Sequence, residues 1–598
     1  MDISAFYQGT CFDAYEFLGA HPVRDGYVFR TYAPRADRVA LIGEFSDWQE
    51  IEMERMEDGN FFSCTIPAKE GQMYKYRIYR DGRGVDHADP YGYGMELRPN
   101  SASFLRDLSY KFGDEVWMKA RTDCVKSALN IYEIHLGSWR KKGAGQTDWY
   151  TYREIAKPLV SYLKQAGYNY VEFLPLAEHS CDESWGYQNT GFFSPTSRYG
   201  EAKDLMYLVD YCHQNGIGVI MDFVPVHFAV DAYALAKYDG TPLFEPDAED
   251  IAVSEWGSYN FAHERGEVRS FLQSAAAFWL DKFHFDGLRV DAVSRILYWM
   301  GDEKRGANLP AIRFMQHMNK GLKERFPSCI LAAEDSSSYD GVTAKDERGL
   351  YFDYKWDMGW MHDTLKFFQM IPLGRSKNSD KISFSMYYFY KDRFLLPLSH
   401  DEVVHGKATI IQKMNGAYED KFPQVRALYL YMYAHPGKKL NFMGNEIGHF
   451  REWDEKREQD WFLLKYPLHD EFSRFMAGLN HLYLEHPAFW EKDYEYDGFH
   501  WEAINQGDRN VYAFRRFAKS ECILAVFNFC DVAEELTLVM EDVEKIEFLY
   551  GTIPGDKTLS PKDGTFVFWL APYDARFYKV TPKRKKKGSK GALLSKKE

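Results

Sequence analysis

The sequence predicts a multidomain α/β chain in which a central (β/α)8 TIM barrel is flanked by an N-terminal β-sandwich and a C-terminal all-β domain. Length is the first reason: 598 residues exceed what one hydrophobic core holds, so several domains are expected. The second is that short alternating strands separated by turns fill both ends of the chain. The third is that, between them, apolar strands alternate with amphipathic helices, the pattern of a parallel sheet closed or covered by helices.

Residues 1–110 are expected to form the first sandwich, with strands at Gly26–Tyr32, Arg38–Gly43, Asn60–Ile66 and Met73–Tyr79. Residues 111–490 carry eight candidate barrel strands: Leu129–His135, Tyr170–Pro175, Gly218–Val224, Gly287–Val293, Ile330–Glu334, Leu350–Lys355, Phe394–His400 and Leu440–Glu446. Helices are expected between them. In Asp204–Asn215 the residues Leu205, Leu208, Val209 and Cys212 share a face, and Gly216 can end the helix in a left-handed cap. Others are expected at Glu267–Lys282 and Pro310–Phe326, the latter with proline in its first turn. Residues 491–582 return to strands at Val511–Arg516, Cys522–Phe529, Glu535–Val539 and Thr565–Leu570, and residues 583–598 read as a basic disordered tail.

Composition narrows the function. Hydrophobic residues make up 45% and charged residues 27%, the proportions of a soluble globular protein, and no uncharged apolar run approaches the ~18 residues of a membrane span. The first residues lack a secretory leader, so a cytoplasmic protein without a membrane partner is expected. Net charge is −14, and because the last 16 residues hold eight Lys or Arg and one Glu, the rest carries −21. An acidic body disfavours nucleic acid as a partner. The eight cysteines form no C-x-x-C pair and are expected to be reduced and mostly buried; no cofactor or metal site is expected, since H-E-x-x-H and comparable ligand spacings are absent. Aromatic residues reach 17%, which suits recognition of sugars, whose C–H faces stack on rings. Oligomeric state is open, with a monomer the expectation.

In a TIM barrel catalytic groups project from the C-terminal ends of strands. Four candidate strands end in polar segments: Met221-Asp222-Phe-Val-Pro-Val-His227, Gly287-Leu-Arg289-Val-Asp291, Leu331-Ala-Ala-Glu334-Asp335, and Leu398-Ser-His400-Asp401-Glu-Val-Val-His-Gly-Lys407. Retaining glycosidic cleavage needs an ionised carboxylate to attack the anomeric carbon and a protonated one to release the leaving oxygen. Asp291, Glu334 and Asp401 can supply this chemistry. Arg289, two residues before Asp291 and on the same face, would hold Asp291 ionised, and the charges of Asp291 and Asp401 would keep Glu334 protonated.

The same segments, in order, resemble the signature regions of the α-amylase superfamily. Within it, Ser184-Trp-Gly-Tyr-Gln, Tyr354-Lys-Trp-Asp-Met-Gly-Trp-Met, Ser399 to Lys407 and His435 to Glu446 resemble the bacterial glycogen branching enzymes, over a stretch from about Leu18 to residue 580. The resemblance implies Asp291 as nucleophile, Glu334 as general acid/base and Asp401 as stabiliser of the oxocarbenium-like sugar, with Tyr187, Asp222, His227, Arg289 and His400 lining its subsite. It implies cleavage of α-1,4 bonds, transfer to a glucan 6-hydroxyl, an α-glucan partner and a glucan-binding type of N-terminal sandwich; a structural lid is the alternative for that sandwich. Val226, Asn189 and Asp335 depart from the family pattern, and the extra leading module of some branching enzymes is expected to be absent. Three alternatives stay open: a related α-glucan hydrolase (debranching or maltooligosyltrehalose-cleaving), a non-catalytic glucan-binding scaffold, and a metal-dependent hydrolase, which the many His and Asp residues allow but no H-E-x-x-H or comparable ligand spacing supports.

Overall fold

The computed structural model describes residues 1–121 and 124–583; apart from Lys583, the expected basic tail lies outside the described residues. Eight parallel strands close a barrel in sequence order: β1 Asn130–Ile134, β2 Tyr170–Phe173, β3 Gly218–Phe223, β4 Gly287–Val290, β5 Ile330–Ala333, β6 Tyr354–Trp356, β7 Phe394–Leu398 and β8 Lys438–Phe442. The barrel closes where Ile131 of β1 lies in register with Leu440 of β8. Every residue of these strands is buried, because barrel side chains pack either inside the closed sheet or under the surrounding helices.

The helices over the barrel are α1 Tyr152–Ala166, α2 Ala202–Gln214, α3 Gly266–Lys282, α4 Leu309–Arg325, α5 Met358–Gln369, α6 Tyr418–Ala434 and α7 Pro467–Glu485. Their ends follow from local chemistry. Thr151 and Glu154 form a reciprocal capping box at α1, and Gly167 ends the helix at φ 80°. Beyond α2, Gly216 takes φ 77°, a conformation glycine adopts without a Cβ penalty, and its N–H donates to His213 O. At α4, Asn308 caps the start and Pro310 sits in the first turn, where its missing N–H costs no helical bond.

Before the barrel, a four-stranded sheet (Gly19–Val23, Gly26–Tyr32, Phe61–Ile66 and Glu54–Arg55) faces a second one built on Arg38–Gly43, Met73–Arg80 and Arg83–His87. This unit docks on the barrel through rings: Tyr91 stacks on Phe193 at 4.8 Å and Tyr93 on Phe278 of α3 at 5.4 Å. A short helix, Ile3–Gln8, capped by Asp2 and ended by Gly9, also lies on α3, where Ser270 Oγ donates to Phe6 O at 2.9 Å. After the barrel, a six-stranded sheet and the pair Glu534–Val539 and Thr565–Leu570 enclose Val511, Leu524, Val526, Leu536, Phe566 and Phe568. Among the described residues no two of the eight cysteines form a disulfide, and four of them are buried. Among the described residues no helix is long and apolar enough to cross a membrane.

Candidate active site

The parallel register sets the side chains at the barrel mouth. Asp222 on β3 lies opposite Arg289 on β4, and Arg289 lies opposite Ala332 on β5. The ladder runs one residue past each strand, with Asp291 N–H donating to Phe223 O at 2.9 Å and Glu334 N–H to Val290 O at 3.0 Å. Adjacent strand ends therefore present Asp291 and Glu334 side by side.

One guanidinium ties them together. Arg289 Nη1 donates to both oxygens of Asp222 at 2.7 Å and to Asp291 Oδ1 at 2.8 Å, and Nη2 lies 3.0 Å from Glu334 Oε2. Trp356 at the end of β6 supports the guanidinium from its face, 4.4 Å from ring centroid to Cζ. Immediately after Asp291 the chain turns through Ala292 at φ 47°, a left-handed geometry that costs a non-glycine residue roughly 1–3 kcal/mol. The turn aims Ala292 N–H at Glu334 Oε2, 2.8 Å away, so backbone strain is exchanged for a fixed carboxylate.

A second arm comes from β7. His400 N–H donates to Glu133 Oε2 at 2.9 Å, and the ring Nδ1 lies 2.6 Å from Glu133 Oε1 at the end of β1. The ring's other nitrogen, Nε2, is 3.3 Å from Tyr187 OH and 3.5 Å from Asp401 Oδ1. Tyr187 stacks on His400 with centroids 5.7 Å apart and donates its OH to Asp222 Oδ2 at 2.5 Å. It is offered by the turn between Ala177–His179 and Asn189–Pro195, where Trp185 and Gly186 both have positive φ. Tyr187, Asp222, Arg289, Asp291, Glu334, His400 and Asp401 thus form one bonded network. His227 stands beside it, buried against Trp256 at 5.2 Å with Nδ1 unpartnered among the described residues.

The electrostatics are uneven. Burial works against a charged His400, but Asp401 and Glu133 overcome it and push the imidazole up to about 10, so it is an imidazolium at neutral pH. Burial also raises Asp401, yet the charges of His400, Arg289, Lys407 and His405 prevail and hold that carboxyl below its ordinary range. Asp222 is raised to about 6 by burial, against the pull of Arg289 and Tyr187. His227, desolvated without a compensating charge, drops to about 4 and is neutral. The expectation that Arg289 alone keeps Asp291 ionised needs correction. Burial comes first and, with the neighbouring Glu334, Asp222 and Asp401, lifts the Asp291 carboxyl well above the usual range despite the 2.8 Å contact with Arg289. Asp222, Asp291 and Asp401 titrate as a linked group rather than singly.

Several contributors were not singled out from sequence. Glu133 orients His400, Trp356 underlies Arg289, and Glu172 on β2 is buried with neither oxygen partnered among the described residues. A single acid inside each of the apolar stretches Leu129–His135 and Tyr170–Pro175 was the available signal. Of the residues that depart from the family pattern, Asn189 donates to Gly186 O at 2.7 Å and Asp335 is paired with Lys355 at 2.8 Å, while Val226 is buried near His227.

Comparison with known proteins agrees with this architecture. Residues 17–92 match carbohydrate-binding module 48 (isoamylase N-terminal domain), and residues 154–241 match the alpha amylase catalytic domain. The chain is 44% identical over 550 residues to the 1,4-alpha-glucan branching enzyme GlgB of Halothermothrix orenii, covering 88% of this chain and 87% of the relative. It is 42% identical over 548 residues to the corresponding Bacillus caldolyticus enzyme, covering 89% and 82%. Among solved structures, an Anoxybacillus pullulanase superposes with a TM-score of 0.75 at 17% identity, covering 97% of this chain and 89% of that one. At that identity the likeness speaks for the fold alone. With this extent of identity to curated relatives, the chain belongs to the family of bacterial 1,4-alpha-glucan branching enzymes, within the α-amylase superfamily.

Proposed function

We propose that the protein cleaves α-1,4 bonds of an α-glucan by a retaining double displacement and transfers the freed segment to a glucan 6-hydroxyl, forming α-1,6 branches. Asp291 attacks the anomeric carbon while Glu334 gives its proton to the leaving oxygen, leaving a glucosyl ester on Asp291. In the second half, Glu334 takes the proton of the incoming 6-hydroxyl, whose oxygen bonds to the anomeric carbon as the ester bond returns its electron pair to Asp291. Asp401, held ionised, stabilises the positive charge that develops on the sugar in the transition state of each step. Tyr187 stacks on the ring, while His400, His227, Asp222 and Arg289 surround its hydroxyls and hold the acids in place. The observation that carries this reading is the single guanidinium bonded to Asp222 and Asp291 and lying 3.0 Å from Glu334.

Transfer rather than hydrolysis follows from family membership, since both outcomes use the same acids. Residues 1–110 are read as an accessory glucan-binding unit, 111–490 as the catalytic unit and 491–582 as a supporting sandwich, in a cytoplasmic enzyme that needs no cofactor. Incubation with linear amylose tests the reading. Iodine absorbance should fall while proton signals of α-1,6 linkages appear and reducing ends stay low. Rising reducing ends without a branch signal would identify a hydrolase.

A further inference from the structure

A cavity of about 300 Å³ opens on the outside of the barrel between α1, α7 and the chain that follows β1, and none of the residues used in the steps above lines it. It stands at the small end of the roughly 300–1,000 Å³ of ligand sites, which suits one sugar ring or metabolite rather than a chain. One wall rests on three rings, Trp139, Tyr162 and Trp461, with centroids 5.3 to 5.6 Å apart, of which Tyr162 and Trp461 line the cavity. The indole N–H of Trp461 is taken up by Trp139 O at 2.8 Å, so this ring offers the cavity only apolar surface.

The acids on the walls are already engaged. Glu446 Oε1 accepts from Tyr132 OH at 2.7 Å and from Tyr162 OH at 2.5 Å, and its Oε2 accepts from Gly444 N–H at 2.8 Å. Asp470 lies 2.8 Å from Arg474, one turn further along α7. Arg140 is left over. Its Cζ lies 5.2 Å from the centroid of Trp139 and 4.6 Å from that of Trp461, and it makes no hydrogen bond or ion pair among the described residues. Acids are not scarce in this chain, which has 88 Asp and Glu against 74 Lys and Arg, yet none pairs with this cation.

A guanidinium held against two rings keeps its forked N–H donors preset, and the group that takes such donors two at a time is an oxyanion. Two further donors line the same cavity. Ser473 makes no side-chain hydrogen bond among the described residues, and Arg474 is bound to Asp470 only through an exposed ion pair, which costs little to break. We propose that this cavity binds a monosaccharide carrying a phosphate monoester, with the phosphate on Arg140 and the sugar's C–H face against the aromatic wall. The inference does not depend on the branching reading.

Isothermal titration of the full chain with glucose 6-phosphate, glucose and inorganic phosphate tests it. Glucose 6-phosphate should bind at least about ten-fold more tightly than either fragment, because ring and anion are recognised together, and Arg140→Gln should weaken it at least about ten-fold. Ser473→Tyr fills the cavity without stranding a partner and should weaken binding by a similar factor, so it decides if Arg140→Gln fails to fold. Affinity unchanged in either folded variant would place the ligand elsewhere, the barrel mouth included, and overturns the assignment. So does the lack of any glucose 6-phosphate binding at about 10 mM. Glucose or inorganic phosphate binding as tightly as the ester would remove the anion or the ring from recognition, and the proposal with it.

Discussion

The barrel carries a buried ionic cluster at each end, and the two are built on opposite principles. At the N-terminal end Asp286, just before β4, accepts from Val219 N–H, Trp117 Nε1 and Arg121 Nη1 at 2.7, 2.8 and 3.2 Å and lies 2.9 Å from His213 Nε2. Asp114 is 2.8 Å from an imidazole nitrogen of both His213 and His284. Acids and bases alternate there. Despite burial, His213 is raised by Asp286 and Asp114, and both acids are held below their ordinary range by the imidazoles and Arg121. At the mouth, acids crowd one guanidinium instead, and Asp222 and Asp291 are driven upward. Matched charges hold the barrel together; crowded ones are poised to exchange protons with a substrate.

The largest expected effect lies at the mouth. Asp291→Asn should lower branching by at least about 10⁴-fold, the scale seen when a nucleophile is removed, while leaving the folded state at least as stable, because it deletes one of several like charges. Amylose turnover and a thermal melt check both halves. Glu334→Gln should cost a similar factor with amylose but far less in the first step with an α-maltosyl fluoride, read as the initial burst of fluoride release, because that leaving group needs no proton. Equal losses with the two donors would remove Glu334 from the acid role.

At the other end the expectation reverses. Asp286→Ala should destabilise by roughly 3–5 kcal/mol, the range for stranding one member of a buried pair, while the surviving folded enzyme keeps its kcat. Denaturant midpoints together with activity per folded molecule separate the two. The pH dependence has a definite sign. His213, raised on folding, contributes fully below its unfolded value of about 6.5 and loses that contribution as pH rises through its folded value. Asp114 and Asp286, depressed on folding, contribute above about 3.9 and lose it as pH falls. The cluster should therefore stabilise most between about pH 4 and 6.5, and the cost of His213→Gln should shrink from pH 6 to pH 9. A cost independent of pH would mean that His213 is not ionised. The smallest effect expected is for Trp356→Phe, where loss of the indole under Arg289 should reduce kcat by about ten-fold with little change in melting temperature.

Much of the barrel was legible because each buried parallel strand is a short apolar run bounded by turns. The exceptions have local causes. The expected sixth strand began at Leu350, but Tyr351 takes φ 63°, which strand geometry excludes, and pairing starts only at Tyr354. The eighth begins two residues earlier than expected, on Lys438 and Lys439. Two lysines do not announce a buried strand, yet Lys438 pairs with Asp493 at 3.0 Å and Lys439 donates to the carbonyls of His435 and Gly437 at 2.6 Å. Helix Ile3–Gln8 is too short to show periodicity; only Asp2 and Gly9 signalled it. At the mouth, the polar residues ending β3, β4, β5 and β7 stood out by position. Glu133 did not, because its meaning depends on His400, which only barrel closure brings close.

The central claim is a covalent bond to Asp291. Glu334→Gln incubated with α-maltosyl fluoride should accumulate the ester, because attack needs no acid with this donor whereas ester opening still needs a base. Peptide mass mapping after rapid quenching should find the added maltosyl mass on the peptide that contains Asp291. Maltosyl mass on another carboxylate, or continued turnover without any adduct, would contradict the account.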